Sequence, residues 1–339
     1  MMGPASVHPP VSGDEGQFPA RVASWSCERA LRGTPGAPSG WAPLPLTRYV
    51  PGMPGVAVRD SLIASYVQYA HAAVERDLPE RERLWDELHR DAHPEVFDFV
   101  AQHLHEVGER GSIAGAPLQD RAAGLPEHAD QLLRTSERFA ASLHGLGALD
   151  AAPLPVVLLA GTTRAHAWVE YFRGEPTMML ETTLIPKSEL GEVAVAHEAV
   201  HVAHLRAGGG DWPETLASEI LSEGLATALS ADLVPGHSPD VYLWLDHEHR
   251  EWLEQCRAVL GEGLGALLSQ SDATDPQVLR PFLSAGATGP WPVRFGYYLG
   301  VQIADALRTQ PGGLPALLTK QWPAASAALT TAIAALQAP

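Results

Sequence analysis

The stretch from Gly191 to Leu229 carries His197-Glu198-Ala199-Val200-His201, then Glu219 and Glu223 beyond a triple glycine at Gly208-Gly209-Gly210. Two imidazoles and a carboxylate at this spacing are what a metal-activated water requires. On a helix, four residues climb about 6 Å and complete just over one turn. His197 and His201 therefore stand one above the other on one face. Their ring nitrogens can converge on one tetrahedral Zn²⁺ at about 2.0–2.1 Å. Glu198 projects roughly 100° round the helix. That takes it out of the coordination shell but leaves it within reach of a metal-bound water, where a general base belongs. Between Val193 and Ala203, Glu198 is the only carboxylate, and no Lys or Arg occurs. A buried helix tolerates such polar residues only where a metal or hydrogen bonds satisfy them.

A catalytic zinc also needs a third protein ligand and an open position. The glycines let the chain turn back after the first helix. From His201 to Gly208 is about 10 Å of helix, and from Pro213 to Glu223 about 15 Å. An antiparallel hairpin thus brings Glu223 near the level of the histidines. Glu219, one turn earlier on the same face, is the rival. Glu223 is preferred as ligand, and Glu219 is given an outer role orienting a ligand histidine. One zinc per chain follows. His204 lies about 10 Å along the axis from His197, too far to share the ion, and is read as a polar-face residue. Position 204 is not Gly and position 207 is not His, so the metzincin pattern is missing. Asp246-His247-Glu248-His249 reads as a solvated helix face, because neighbouring helical residues point in different directions.

The elements that must position these residues come next. Val58 to about Val107 reads as helical, from Leu62, Tyr66, Tyr69 and Ala73 and then Leu84, Leu88, Phe97, Val100 and Leu104, with a break near Pro94. Another helix is expected from Pro126 to about Leu146. Leu154–Ala160, His166–Phe172 and Thr177–Thr182 are β-branched or aromatic runs and read as strands, the last two joined at Arg173-Gly174-Glu175. The metal-site helix is expected from about Lys187 to Arg206. Its successor starts at an Asp211 N-cap, with Glu214 completing a capping box, and runs to about Ala231. Helices follow at Pro239–Leu260, Pro276–Leu283, Pro292–Arg308 and Pro323–Leu336. Gly296, Gly300 and Ala304 form a small-residue stripe that allows close helix packing. The predicted fold class is α+β and mostly helical, with a small mixed sheet beside the metal-site helix. The organisation is a Pro/Gly-rich, partly disordered segment 1–56 (its part from Trp25 to Tyr49 draped over the body), a helical region 57–150 and a metal-site domain 151–339.

Composition narrows the function class. The chain has 339 residues, 45% of them apolar, and a net charge of −17. So acidic a surface repels phosphate backbones, and nucleic acid is not the expected partner. Cys27 and Cys256 make neither a disulfide framework nor a cysteine zinc cluster. No apolar run of about 18 residues predicts a membrane span. The first 25 residues show no signal-peptide pattern. The expected location is the cytoplasm.

His197-Glu198-Ala199-Val200-His201, a gap of roughly twenty residues and Ser222-Glu223-Gly224-Leu225-Ala226 resemble the gluzincin clan of zinc metallopeptidases. The segment from Leu154 to about Leu307 further resembles bacterial proteins described only as predicted zinc-dependent proteases, with Gly296-Tyr297-Tyr298-Leu299-Gly300 as a later shared motif. The resemblance covers about half of the chain. It implies a zincin-like catalytic domain, with His197, His201 and Glu223 as zinc ligands and Glu198 as base. It also implies an edge strand at Thr177–Thr182, where Thr177, Met178, Met179, Leu180 and Glu181 pair with an extended peptide or protein substrate. Many gluzincins carry Asp four residues after the glutamate ligand, hydrogen-bonded to the first histidine. Here that position is Thr227, with Asp232 or Glu219 as substitutes. The oxyanion donor is expected to be Tyr297, then Tyr298, then Arg294. Two alternatives stand beside the general peptidase: a regulatory protease specific for one partner protein, and a zinc-stabilised binding module without catalysis.

Overall fold

Arg173 and Gly174, both at positive φ (53° and 84°), close a tight hairpin between two strands of a small sheet. The computed structural model describes residues 56–104, 118, 122–161, 165–208, 212–284 and 289–338. The Pro/Gly-rich segment expected at the N-terminus, with its stretch from Trp25 to Tyr49, lies almost wholly outside the described residues. The sheet is formed by β1 (Val56–Ser61), β2 (Leu154–Leu159), β3 (Ala167–Phe172) and β4 (Glu175–Glu181), in the order β1-β2-β4-β3. β1 and β4 run parallel to β2, and β3 runs antiparallel to β4.

This order corrects two expectations. Val56–Ser61 is a strand, not part of a helical region; six residues with only two alternating valines give too short a pattern to reveal it. More consequentially, the strand at Thr177–Glu181 is central. Met178 pairs with Val156 on one side and with Val169 on the other. Its backbone groups are already used, and Thr177, Met178, Met179, Leu180 and Glu181 are all buried. The Glu181 carboxylate accepts from Gly161 N at 2.7 Å and Thr183 N at 3.2 Å, tying down the chain after β2 and β4. These five residues hold the sheet together and offer no edge to a substrate. The edge on that side is β3.

Helices cover the sheet. Between β1 and β2 come α1 (Ile63–Ala73), α2 (Leu78–Trp85) with a π-helical turn at Asp86–Arg90, α3 (Pro94–Leu104) and α4 (Leu125–Gly145). After β4 come α5 (Glu189–Ala207), α6 (Leu216–Leu233), α7 (Pro239–Trp244), α8 (Arg250–Ala258), α9 (Leu260–Ser269), α10 (Pro276–Leu283), α11 (Phe295–Leu307), α12 (Gly313–Leu318) and α13 (Trp322–Leu336). The molecule is thus mostly helical α+β. The single helix expected over Pro239–Leu260 is broken at Leu245, which takes a left-handed conformation at φ 59°. Asp246–His249 is therefore a bend, not a helix face. α9 escaped the sequence reading because Gly261, Gly263 and Gly265 dilute its helix propensity.

α5 packs on β3 and β4 with one face, on α4 with another and on α6 with a third. Every residue from Val193 to His204 is consequently buried. That explains why the helix shows no polar stripe. α6 is covered in turn by α11. A Cβ built on Gly224 would stand 2.2 Å from Gly300 C and O, and one on Gly300 would stand 2.3 Å from Ile220 O. The two helices touch backbone to backbone, as the small-residue stripe predicts. Segment 57–150 contributes β1 to the sheet and α4 to the core, so one hydrophobic core spans residue 150. Among the described residues no helix is long and apolar enough to cross a membrane.

Candidate metal centre

α5 begins at Ser188, whose hydroxyl accepts from Leu190 N, and ends at Gly208, where φ is 123°. This left-handed stop releases the chain toward α6. The start of α6 differs from expectation. The N-cap is Thr215, with Ser218 N donating to Thr215 Oγ1 and Thr215 N donating to Ser218 Oγ. This reciprocal capping box fixes where α6 begins, and hence the height of Glu223. Asp211, the cap expected from sequence, lies outside the described residues.

The α5–α6 pair then does what the helical rise requires. His197 Nε2 lies 3.2 Å from Glu223 Oε2 and 3.1 Å from His201 Nε2. His201 Nε2 lies 3.6 Å from Glu223 Oε2. Donors at about 2.0–2.1 Å from a tetrahedral cation are spaced by roughly 3.3–3.4 Å, so the observed triangle fits one. His197, His201 and Glu223 could hold a metal ion, and among the described residues no fourth His, Cys, Asp or Glu joins them.

Burial and mutual charge set the protonation of the group. Burial pushes the Glu223 carboxyl up, but the His201 charge and the hydrogen bond from His197 hold it well below the usual range. Burial lowers His201, yet the Glu223, Glu198 and Glu219 carboxylates outweigh it and raise this imidazole to about 8. His197 is lowered, chiefly by burial. Glu198 is pushed up to about 8 by burial, with His201 pulling the other way. Its carboxyl thus lies within the electrostatic reach of His201 and Glu223, beside the ligand triangle.

The surrounding residues divide. Glu219 is buried and its charge acts on His201, in keeping with an outer role. Thr227 is buried, but its hydroxyl makes no hydrogen bond among the described residues, so it does not orient His197. Nor can Asp232 substitute, because it is paired with Arg308 at 2.7 Å. His204, expected on a polar face, is buried against Trp212 with ring centroids 4.2 Å apart, and burial drives it down to about 3. Tyr297 lies beneath the Arg294 guanidinium, whose carbon is 4.2 Å from the ring centroid. The Arg294 charge reaches His197. Tyr298 packs instead on Trp252 and Phe295, at 6.3 and 6.2 Å between centroids. Burial raises its hydroxyl above the usual range, with the nearby Arg257 charge pulling the other way. Of the adjacent tyrosines, only Tyr297 shares the Arg294 side of the helix.

Two residues near Arg294 were not singled out by sequence. His166, just before β3, is lowered to about 4 by burial and then by the Arg294 charge. Trp244 also packs against Arg294, whose guanidinium carbon is 5.1 Å from its ring centroid. A lone histidine at a strand start and a tryptophan in a six-residue helix carry no motif, and only the fold brings them here. Comparison with protein-family models, curated proteins and solved structures returned no match.

Proposed function

We propose that this chain is a zinc-dependent peptidase of the gluzincin type. The observation that carries this reading is the triangle of His197 Nε2, His201 Nε2 and Glu223 Oε2 with no fourth protein ligand among the described residues. Structural zinc sites close the shell with four protein ligands, whereas catalytic ones use three and leave a position for water. Two imidazoles and one carboxylate suit zinc. When bound, such an ion polarises a carbonyl and lowers the pKa of water.

The remaining work falls to the chain's own groups. Glu198 takes the proton of the attacking water and passes it to the leaving amine. Tyr297 donates a hydrogen bond to the carbonyl oxygen as that atom gains charge. An extended peptide pairs along β3, the sheet edge that packs on α5, in place of the central β4. The test is Glu198→Gln assayed against a mixture of unstructured peptides by mass spectrometry. It should keep its zinc and lose turnover by at least about 10²-fold. Wild-type cleavage that persists in Glu198→Gln would remove this assignment of the base.

A further inference from the structure

Arg294 is unlike the other arginines withdrawn from solvent. Arg173 is paired with Glu95, and Arg206 lies 3.5 Å from Asp150. Arg294 is only 4% exposed, yet its Nη1 meets no acceptor among the described residues. A buried guanidinium without a counter-charge is costly. Its position makes the imbalance worse. Arg294 is the N-cap of α11, in a left-handed conformation at φ 60°, and the first turn of that helix has no acidic residue. The positive end of a helix favours anions, not a cation. A bulky side chain at positive φ is itself uncommon.

The neighbours shape the site further. Tyr297 and Trp244 supply ring faces to the guanidinium, at 4.2 and 5.1 Å, which hold its plane. Trp244 Nε1 and His166 Nδ1 are two more buried nitrogens with no acceptor among the described residues. The turn of α11 that Arg294 caps packs on α6, where a Cβ on Gly296 would stand 3.3 Å from Ile220, one turn before Glu223, and the Arg294 charge reaches both His166 and His197, so the cluster adjoins the candidate metal centre.

We propose that Arg294, packed against Trp244 and Tyr297, is a carboxylate-binding subsite beside the metal centre, so that the substrate is a peptide with a carboxylate close to the scissile bond. The carboxylate is either the chain-terminal group or an Asp or Glu side chain. A planar guanidinium binds either one bidentately. This inference rests on the peptidase reading for its substrate class, but binding can be measured without hydrolysis.

The experiment uses zinc-loaded Glu198→Gln protein and calorimetric binding of three probes. They are N-acetyl-Gly-Phe with a free carboxylate, the same peptide as its C-terminal amide, and N-acetyl-Gly-Glu amide. One carboxylate-bearing probe should bind roughly 10- to 100-fold tighter than N-acetyl-Gly-Phe amide. Preference for the free acid assigns a terminal carboxylate, and preference for the Glu peptide assigns a side chain. In the same background Arg294→Gln should bring the ratio close to one. Arg294→Lys, which keeps charge but loses the fork, should give an intermediate ratio. Should the Gln variant not fold, the Lys variant decides, because its ratio must fall. A ratio near one before Arg294 is changed, or one that these substitutions leave unchanged, overturns the proposal. A carboxylate preference in protein whose Glu198 form cleaves no peptide would sink the peptidase reading and leave the subsite standing.

Discussion

Glu219 and Glu223 are one helical turn apart, and both act electrostatically on His201, yet only Glu223 lies within 4 Å of both imidazoles. Their substitutions should therefore differ. Glu219→Ala is expected to weaken zinc binding by at most about 10–100-fold, the range for residues behind the ligands. Glu223→Ala should weaken it further, with less than one zinc retained after dialysis. Equal loss in the two variants would show that the third ligand is misassigned. Away from this triangle, His89 makes stability depend on pH. Its Nε2–H donates to Ala160 O at 2.8 Å, and Nδ1 lies 2.8 Å from Ser65 Oγ. Burial, with a smaller push from His93, lowers it from 6.5 to about 4. The unfolded chain thus takes up a proton in this window and the folded one does not. The contribution of His89 is complete above pH 6.5 and is lost as pH falls toward 4, by up to about 3 kcal/mol. Urea midpoints at pH 7 and pH 5 should show a shallower loss in His89→Gln than in wild type. An unchanged slope would mean that His89 is not the group responsible.

The α6–α11 crossing decides where Glu223 stands, because Gly224 follows it directly and meets Gly300 backbone to backbone. No flexible side chain can yield there. Gly300→Ala must push the helices apart, at a cost of about 1–3 kcal/mol from overpacking. Zinc affinity should fall together with thermal stability, although the substituted residue touches no ligand. A Gly300→Ala protein with wild-type zinc affinity would show that α11 does not set the height of Glu223. The sequence displayed one side of this crossing, the spaced small residues of α11, and it displayed α5 and α6 as helices, but not that α6 and α11 meet. It did not display the exact start of α6, since Asp211-x-x-Glu214 carries an acidic capping pattern, whereas the observed Thr215-x-x-Ser218 box has Ser in place of the usual Glu or Gln. Only the register that buries Leu216 and Ile220 selects the second.

One sheet and one core join the two halves of the chain. β1 pairs with β2, every residue of β2 is buried, and α4 covers α5. Deleting everything before residue 151 would strip β2 of its outer neighbour and bare the α4-facing side of the metal-site helix. The fragment 151–339 is therefore expected to be expressed without a cooperative thermal transition. A fragment that melts cooperatively and binds zinc as tightly as the full chain would establish 151–339 as an autonomous domain.

Local spacing by itself determined the helix that carries His197 and His201, its glycine stop and the return helix with Glu223. The reason is that a rise and turn per residue convert directly into which side chains share a face. Tertiary structure alone decided the strand order that puts β4 in the middle, the parting of Tyr297 from Tyr298, and the gathering of His166, Trp244 and Arg294. Strand order depends on pairings between segments distant in sequence, and no periodicity records them. The tyrosines were separated by the phase of α11. That phase is set by a left-handed Arg294 at its start and by the Gly224–Gly300 contact. Such backbone approaches exist only once the helices are packed.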